Sequence, residues 1–301
     1  MTSPILISVL VTVYNRQRYL AECLQSILDS TCSQFEVVVV DDRSTDDSLR
    51  IANEFAARDS RIQVFQNPVN LGDYPNRNRA AELARGPWLK YVDSDDRIVP
   101  TCLEKMYHAA SQFPDAALVL SYPRPENQKR PLCMSPETAW REHFIGKQGF
   151  LCSGPLLSLI RTDAFRSVGG FRPAARNMGD SILWLEICRR WPLVITEPDL
   201  TFWRQHDEQE YQLVRNGGWD NTITHCRLTE VLLRDFLDSS CPLNKSERLA
   251  VRRELQWNNL RRLAWHLRHL RLPQLLHEVC WTARSLLGCY TGCVPQPSID
   301  I

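Results

Sequence analysis

Two short acidic clusters are the parts of this chain best suited to chemistry. Asp41 and Asp42 stand together in "VVVVDDRSTDD", and "YVDSDDR" sets Asp93, Asp95 and Asp96 within four residues. Both follow apolar, strand-like approaches. One reading is turn chemistry, since Asp and Ser favour loops and helix N-caps. The other is a cation site, because neighbouring carboxylates repel unless something positive lies between them. An oxygen-only donor set suits a hard ion, Mg2+ or Mn2+, rather than zinc. Such an ion is ordinarily held by one or two carboxylates plus the phosphates of a substrate, so a nucleoside diphosphate suits the same place.

Several other chemistries find no support. The sequence has no GxGxxG after a strand, no GxxxxGK[ST], no GxSxG and no HExxH. The seven histidines show no ligand spacing, and the 11 cysteines form no CxxC pair. Cys23, Cys102 and Cys188 fall in apolar periodic segments, where a free thiol behaves as a small core hydrophobe. That usage fits a reducing compartment. A net charge of +1 argues against a general nucleic-acid binder. No apolar run reaches the length of a membrane span, and the N-terminus lacks a signal pattern, so a cytoplasmic protein is expected.

The elements that must position the acids alternate regularly over the first 120 residues. "ILISVLVTVYN" and "FEVVVVDD" are apolar and β-branched, the pattern of strands covered on both faces. "RQRYLAECLQSILDS" follows the first, with Leu20, Leu24, Ile27 and Leu28 at helical spacing. "STDDSLRIANEFAARDS" follows the second, with Ser44, Thr45 or Asp46 available as cap. "RIQVFQN", "PWLKYV" and "AALVLSY" read as strands, separated by the helices "NRNRAAELARG", closed by Gly86, and "PTCLEKMYHAASQF", opened by Pro100. This alternation predicts an α/β fold with a mainly parallel, doubly wound sheet. Ligands of such sheets bind beyond the carboxyl ends of the strands. "TVYN", "DDRSTD" and "DSDD" all fall there, on one rim.

"PRPENQKRPLCMSPET", from Pro123, reads as a mobile surface loop or lid. "FLCSGPLLSLIRTDAFRSVGGFRP" suggests a strand, a short helix and a glycine turn. "GDSILWLEICRRW" is a helix with Ile182, Leu185, Ile187 and Cys188 inward, and "LVITEPDLTFWRQH" suggests two short strands. From about Trp219 the chain turns mostly helical.

Taken in order and spacing, "ISVLVTVYNRQRYLAECLQSIL", "FEVVVVDDRSTDDS", "NLGDYPNRNRAAELARGPWLKYVDSDDRIVP" and "GDSILWLEICRRW" resemble the family 2 glycosyltransferases. The likeness covers residues 5 to 206, about two-thirds of the chain. It implies an inverting enzyme of the GT-A fold that takes a nucleotide-sugar donor and a carbohydrate, lipid-linked or other hydroxyl acceptor, assisted by Mg2+ or Mn2+. The implied division is residues 1–218 for the catalytic domain, with a nucleotide-binding half to about 120 and an acceptor-binding half from 121, then a helical region over 219–301.

The resemblance also implies roles. Thr12 and Tyr14 would contact the nucleobase and ribose. Asp42 would accept from the base, with Asp41 beside it; Ser44 reads as a helix cap. Asp95 would contact the ribose or the metal, Asp96 would bind the metal, and Asp93 would support them. Asp180 stands where the family has its catalytic base, although Gly179 replaces the acid that usually precedes it. The alternative for Asp180 is a helix cap. Arg204 or His206 of "FWRQH" would reach the pyrophosphate or its metal, and Arg79 or Arg77 of "NRNR" the nucleotide. An exposed Arg or a packed His are the plainer readings.

Two departures bear on function. "ICRRW" keeps Arg190 and Trp191 of the QxxRW motif of processive relatives but has Ile187 in place of Gln, which favours addition of one or a few sugars, as in cell-surface polysaccharide or glycoconjugate synthesis. Arg43 stands where relatives commonly have Gly. A nucleotidyltransferase would also use carboxylates and a metal, but "TVYNRQ" makes a poor phosphate-gripping loop. A nucleotide-binding relative without catalysis is the non-enzyme alternative. The donor sugar, acceptor and oligomeric state stay open.

"SERLAVRRELQWNNLRRLAWHLRHLRLPQLL" carries Trp257, Leu260, Leu263, Ala264, Leu267 and Leu270 as an apolar helical stripe. Arg252, Arg253, Arg261, Arg262, Arg268 and Arg271 crowd the remainder. Such a helix suits either packing on its own domain or peripheral contact with an anionic inner membrane face.

Overall fold

The first strand, β1 (Ile7–Val13), is buried along almost its whole length. Helix α1 (Leu20–Leu28) then turns Leu20, Cys23, Leu24 and Ile27 to the core. Strand β2 (Phe35–Asp41) is fully buried, and its unbroken Val run suits a central strand with helices on both faces. The computed structural model describes residues 4–123, 129–206, 228–268 and residue 279.

The chain continues through α2 (Ser48–Ala56), β3 (Ile62–Gln66), α3 (Asp73–Leu83), β4 (Trp88–Tyr91), β5 (Arg97–Ile98), α4 (Cys102–Ser111) and β6 (Leu118–Ser121). After these come β7 (Leu132–Met134), α5 (Pro136–Phe144), β8 (Ser158–Arg161), α6 (Thr162–Ser167), α7 (Gly179–Cys188), β9 (Leu193–Thr196) and β10 (Thr201–Phe202). A long helix, α8 (Lys245–Arg268), lies in the C-terminal region.

Eight strands form one sheet in the order β3-β2-β1-β4-β8-β6-β9-β7. The first four are parallel, as the alternation predicts. Beyond β4 the sheet is mixed, which the sequence does not foretell: β8 inserts antiparallel between β4 and β6, and β7 pairs antiparallel with β9. The short "SLIR" strand is placed by pairing with partners far away in sequence, so no local pattern reveals it. The Val13↔Asp41 and Asp41↔Gln66 registers bring the carboxyl ends of β1, β2 and β3 level. Val92 donates to the Leu10 carbonyl at 3.0 Å, which carries the acidic turn after β4 to the same rim.

A separate two-stranded sheet pairs Arg97 with Phe202 and Ile98 with Thr201. It returns the chain after β9 to the "DSDD" turn. The segment expected to be a loop after Pro123 holds β7 and α5 instead, with Ser135 capping α5 through the Thr138 amide at 3.3 Å; residues 124–128 lie outside the described residues. Helix α2 begins at Ser48, and Ser44 does not cap it: its Oγ accepts the Asn15 amide at 3.0 Å, tying the loop after β1 to the loop after β2. Helix α3 ends at Leu83, so Gly86 does not close it. Gly86 packs on β1, where a Cβ would come within 2.8 Å of the Ser8 amide. Cys23, Cys102 and Cys188 are free and buried.

The chain divides into two compact units, Met1–Gln205 and His206–Ile301. The expected boundary at 218/219 and the "NGGW" turn lie outside the described residues. In the second unit α8 does not bury the expected stripe. Val251 and Asn259 are buried, while Trp257 and Ala264 are exposed and Leu260 is half-buried. The side chains of Leu263 and Leu267, and Leu270 and Arg271 altogether, lie outside the described residues. Among the described residues no helix is long and apolar enough to cross a membrane.

Candidate active site

The three carboxylates of "DSDD" sit on a tight turn closed by the Asp96 amide donating to the Asp93 carbonyl at 2.8 Å. Their mutual repulsion is met first by arginines from elsewhere in the chain. Arg77 of α3 pairs with Asp93 at 2.7 Å, and Arg16, just after β1, pairs with Asp95 at 3.1 Å. Asp96 is buried and accepts the Arg204 main-chain amide at 2.9 Å, a neutral donor. Its pKa is pushed up to about 8 by burial and then by the charges of Asp93 and Asp95. Arg204 also donates from Nε to the Asp95 carbonyl at 2.9 Å, pairs with Glu22 and lies over the Tyr19 ring. Its guanidinium therefore clamps the turn from behind.

The two aspartates after β2 have opposite fates, as successive side chains of a pleated strand must. Asp42 is held by its own chain: Oδ1 accepts from Asn67 and from the Leu71 amide, both at 2.8 Å, and Oδ2 from the Gly72 amide at 2.9 Å. It fixes the 67–72 loop that leads into α3. Asp41 accepts the Ser44 amide and the Gln66 side chain on Oδ2, both at 3.1 Å, while its buried Oδ1 has no hydrogen-bond partner among the described residues. Asp42, expected to accept from a nucleobase, thus already takes three bonds from its own chain, while Asp41 keeps one buried oxygen unpartnered.

Thr12 is half-buried near the end of β1, and Tyr14 is 46% exposed on the rim just beyond it. The arginine of "NRNR" that reaches the site is Arg77, not Arg79. Arg77 is buried and also pairs with Asp73 at 2.7 Å, whereas Arg79 is exposed and pairs with Glu82 at 3.0 Å. Two positions apart on a helix face nearly opposite ways, so only one could point inward. His206 is the first residue of the second unit.

Asp180 lies in the first turn of α7. Its Oδ1 is buried with no hydrogen-bond partner, and its carboxyl also hydrogen-bonds with the Tyr74 hydroxyl. Burial pushes its pKa up to about 7, Arg77 pulls it down, and Asp73 and Asp93 push it up. Arg77 thus faces both the acidic turn and Asp180. Asp180 is not a helix cap: α7 has Met178 at its N-cap and no side-chain capping bond there.

The rim therefore sets the acidic turn near a carboxyl of raised pKa, Asp180, with Arg77 facing both. For a cation, the chemistry of the donor set fits. Asp96 is a buried carboxylate whose pKa is raised by burial and then by two like charges, which a bound divalent ion would offset. Among the described residues no three His, Cys, Asp or Glu side chains form a cage for a metal.

Residues 8–168, more than half of the chain, match the family model for Glycosyl transferase family 2. The chain belongs to glycosyltransferase family 2. The glycosyltransferase GlyG of Streptococcus pneumoniae is 36% identical over 115 residues, which is 38% of this family 2 chain and 38% of GlyG. By fold, S. aureus TarS 1–349 in complex with UDP-GlcNAc matches at TM-score 0.67 and 18% identity, over 93% of this chain and 81% of its own. The mannosyltransferase PcManGT of Pyrobaculum calidifontis, in complex with GDP-Man and Mn2+, matches at TM-score 0.61 and 18% identity, over 98% and 78%. These neighbours share with this chain the GT-A fold that the sequence resemblance implies. The chain spans from 17% to 65% of the length of the curated relatives it matches.

Arg16, Tyr74 and Glu22 are site residues that the sequence reading does not single out. The "RQR" after β1 marks Arg16 only once its register to the acidic turn is known.

Proposed function

We propose that this chain transfers a single sugar from a nucleoside-diphosphate donor to an acceptor hydroxyl, with inversion, in cell-surface polysaccharide or glycoconjugate synthesis. The observation that carries the reading is Asp180, a largely buried carboxylate with one unpartnered oxygen and a pKa near neutrality, facing the arginine that holds the acidic turn. A base works best when its pKa lies near the working pH. Asp180 Oδ1 takes the acceptor proton as the hydroxyl oxygen attacks the anomeric carbon. The nucleoside diphosphate leaves on the opposite face, toward the "DSDD" turn.

On the donor side, Asp41 Oδ1 accepts from the nucleobase, Thr12 and Tyr14 line its place, and Asp95 meets the ribose. Arg77 supplies positive charge between the two halves. Asp96, with Asp95, would hold Mg2+ or Mn2+, which when bound stabilises charge on the departing diphosphate. The acceptor is received by the part of the chain after residue 120, which carries Asp180. Ile187, in place of the Gln of QxxRW, supports a non-processive enzyme.

The same reading places the protein in the cytoplasm, at the inner membrane face. Helix α8 exposes Leu249, Trp257 and Trp265 together with Arg253, Arg261 and Arg268, a basic and aromatic surface suited to anionic lipid. Co-sedimentation with phosphatidylglycerol vesicles, lost on Arg253→Glu with Arg261→Glu, is expected; equal recovery with neutral and anionic vesicles refutes this placement.

The test of activity is a thermal-shift screen of UDP- and GDP-sugars with and without Mn2+. A metal-dependent shift by one donor, abolished in Asp96→Ala, is expected. No shift with any donor refutes the reading.

A further inference from the structure

The loss of the acid that usually precedes the base has a counterpart 105 residues away. Gly179 opens α7, and the space beside its Cα is filled by Tyr74 of α3. A Cβ there would lie 2.4 Å from Tyr74 Cζ and 2.5 Å from Cε2, so no other residue fits unless the ring moves. The Gly179 amide, one of the free N–H groups of a helix start, donates to the Tyr74 hydroxyl at 3.0 Å. With that oxygen accepting from the main chain, the phenolic proton is directed elsewhere, and the Asp180 carboxyl is the hydrogen-bond partner it has.

The ring itself is fixed. It stacks on Phe171 with centroids 5.2 Å apart and planes 10° from parallel. Phe171 is held by Asn78, whose side chain donates to the Phe171 carbonyl at 2.8 Å and accepts its amide at 2.9 Å. Tyr74, Asn78 and Arg77 all belong to α3, so one helix presents the hydroxyl and the cation that face Asp180. One oxygen of Asp180 is thus engaged, and Oδ1 is left without a partner.

We propose that Tyr74 is the positioning residue of the base: its ring takes the place of a side chain at position 179, and its hydroxyl holds Asp180 so that Oδ1 points at the acceptor. This deepens the reading of Asp180 as base and rests on it. Burial and the charges of Asp180 and Asp73 hold the Tyr74 hydroxyl well above its ordinary pKa, so it remains a donor throughout the working range. Tyr74→Phe keeps the stacked ring and removes the hydroxyl, which is both the donor to Asp180 and the acceptor of the Gly179 amide.

The experiment measures release of nucleoside diphosphate from the donor identified by thermal shift, UDP-GlcNAc being the first probe, in wild type, Tyr74→Phe, Asp180→Asn and the double variant. Tyr74→Phe is expected to lower kcat about tenfold or more with donor KM within about twofold. Its acid limb should move to higher pH, because a hydrogen bond favouring the carboxylate is gone while Arg77, Asp73 and Asp93 still face it. In the Asp180→Asn background, Tyr74→Phe should cost nothing further. Wild-type kcat in Tyr74→Phe, or an equal loss in both backgrounds, overturns the proposal. If Asp180→Asn itself turns over like wild type, the reading of the base has failed instead. A thermal melt of Tyr74→Phe separates either result from unfolding, and if that variant does not fold, Gly179→Ala, which displaces the ring, must show the same split between kcat and KM or the proposal falls.

Discussion

Arg77 and Asp93 form a 2.7 Å ion pair that joins helix α3 to the acidic turn after β4. The same guanidinium pairs with Asp73 and faces Asp180, so three carboxylates from three segments depend on one cation. Together with Arg16 on Asp95, it offsets part of the repulsion within "DSDD". Asp96 instead accepts a main-chain amide, that of Arg204, and among the described residues no arginine side chain hydrogen-bonds to it.

Arg77→Met should therefore unsettle both halves of the site. Removing one partner of a buried ion pair leaves the others uncompensated, and a loss of about 3 kcal/mol is expected. The chevron or urea midpoint measures it. Because Arg77 holds down the Asp180 pKa, the acid limb of activity should also rise.

Asp41 and Asp42 should separate stability from binding. Asp42→Ala strands the Asn67 side chain and the Leu71 and Gly72 amides, and should destabilise the chain by about 2–4 kcal/mol in urea. Asp41→Asn keeps the shape of the carboxylate and should instead weaken nucleotide binding, read by calorimetry, with a stability change below about 1 kcal/mol.

Arg43 adopts φ 67°, the left-handed region that disfavours a side chain. This is the position where glycine is common among relatives. Arg43→Gly should raise stability by about 0.5–1 kcal/mol through relief of that strain, visible as a higher Tm. A fall in Tm would mean that contacts of the arginine outweigh the strain.

The parallel half of the sheet was legible because strands buried on both faces carry unbroken apolar runs, and the rim followed from where those runs end. What the sequence could not reveal depends on orientation or on distant partners. Asp41 and Asp42 are alike until the pleat gives one to the loop and frees an oxygen on the other. Arg77 and Arg79 are alike until the phase of α3 buries one. Gly179 reads as a loss until Tyr74, from α3, is found in its space. Strand β8 and the two-residue strands β5 and β10 are too short to show a period, and non-local pairing places them.

The Asp180 carboxyl should also make stability depend on pH in a defined direction. Its folded pKa, about 7, lies above the ordinary 3.8, so the folded state binds the proton more tightly. Ionisation then costs stability progressively between about pH 4 and pH 7, and the penalty is complete above that window. Asp180→Asn removes it. The variant should gain on wild type by up to about 4 kcal/mol at pH 8 and by much less at pH 5 in urea unfolding. A gain independent of pH would place the Asp180 pKa near the ordinary value.

If Asp180 is the base of a sugar transfer whose donor is held elsewhere, as we propose, its loss must slow the reaction and spare donor binding. The most direct test is the single-turnover rate of Asp180→Asn beside its donor Kd, measured with the donor found by thermal shift. A rate at least about a thousandfold below wild type, with Kd within about twofold, is expected. Turnover equal to wild type, with the donor bound as tightly, would contradict the proposal.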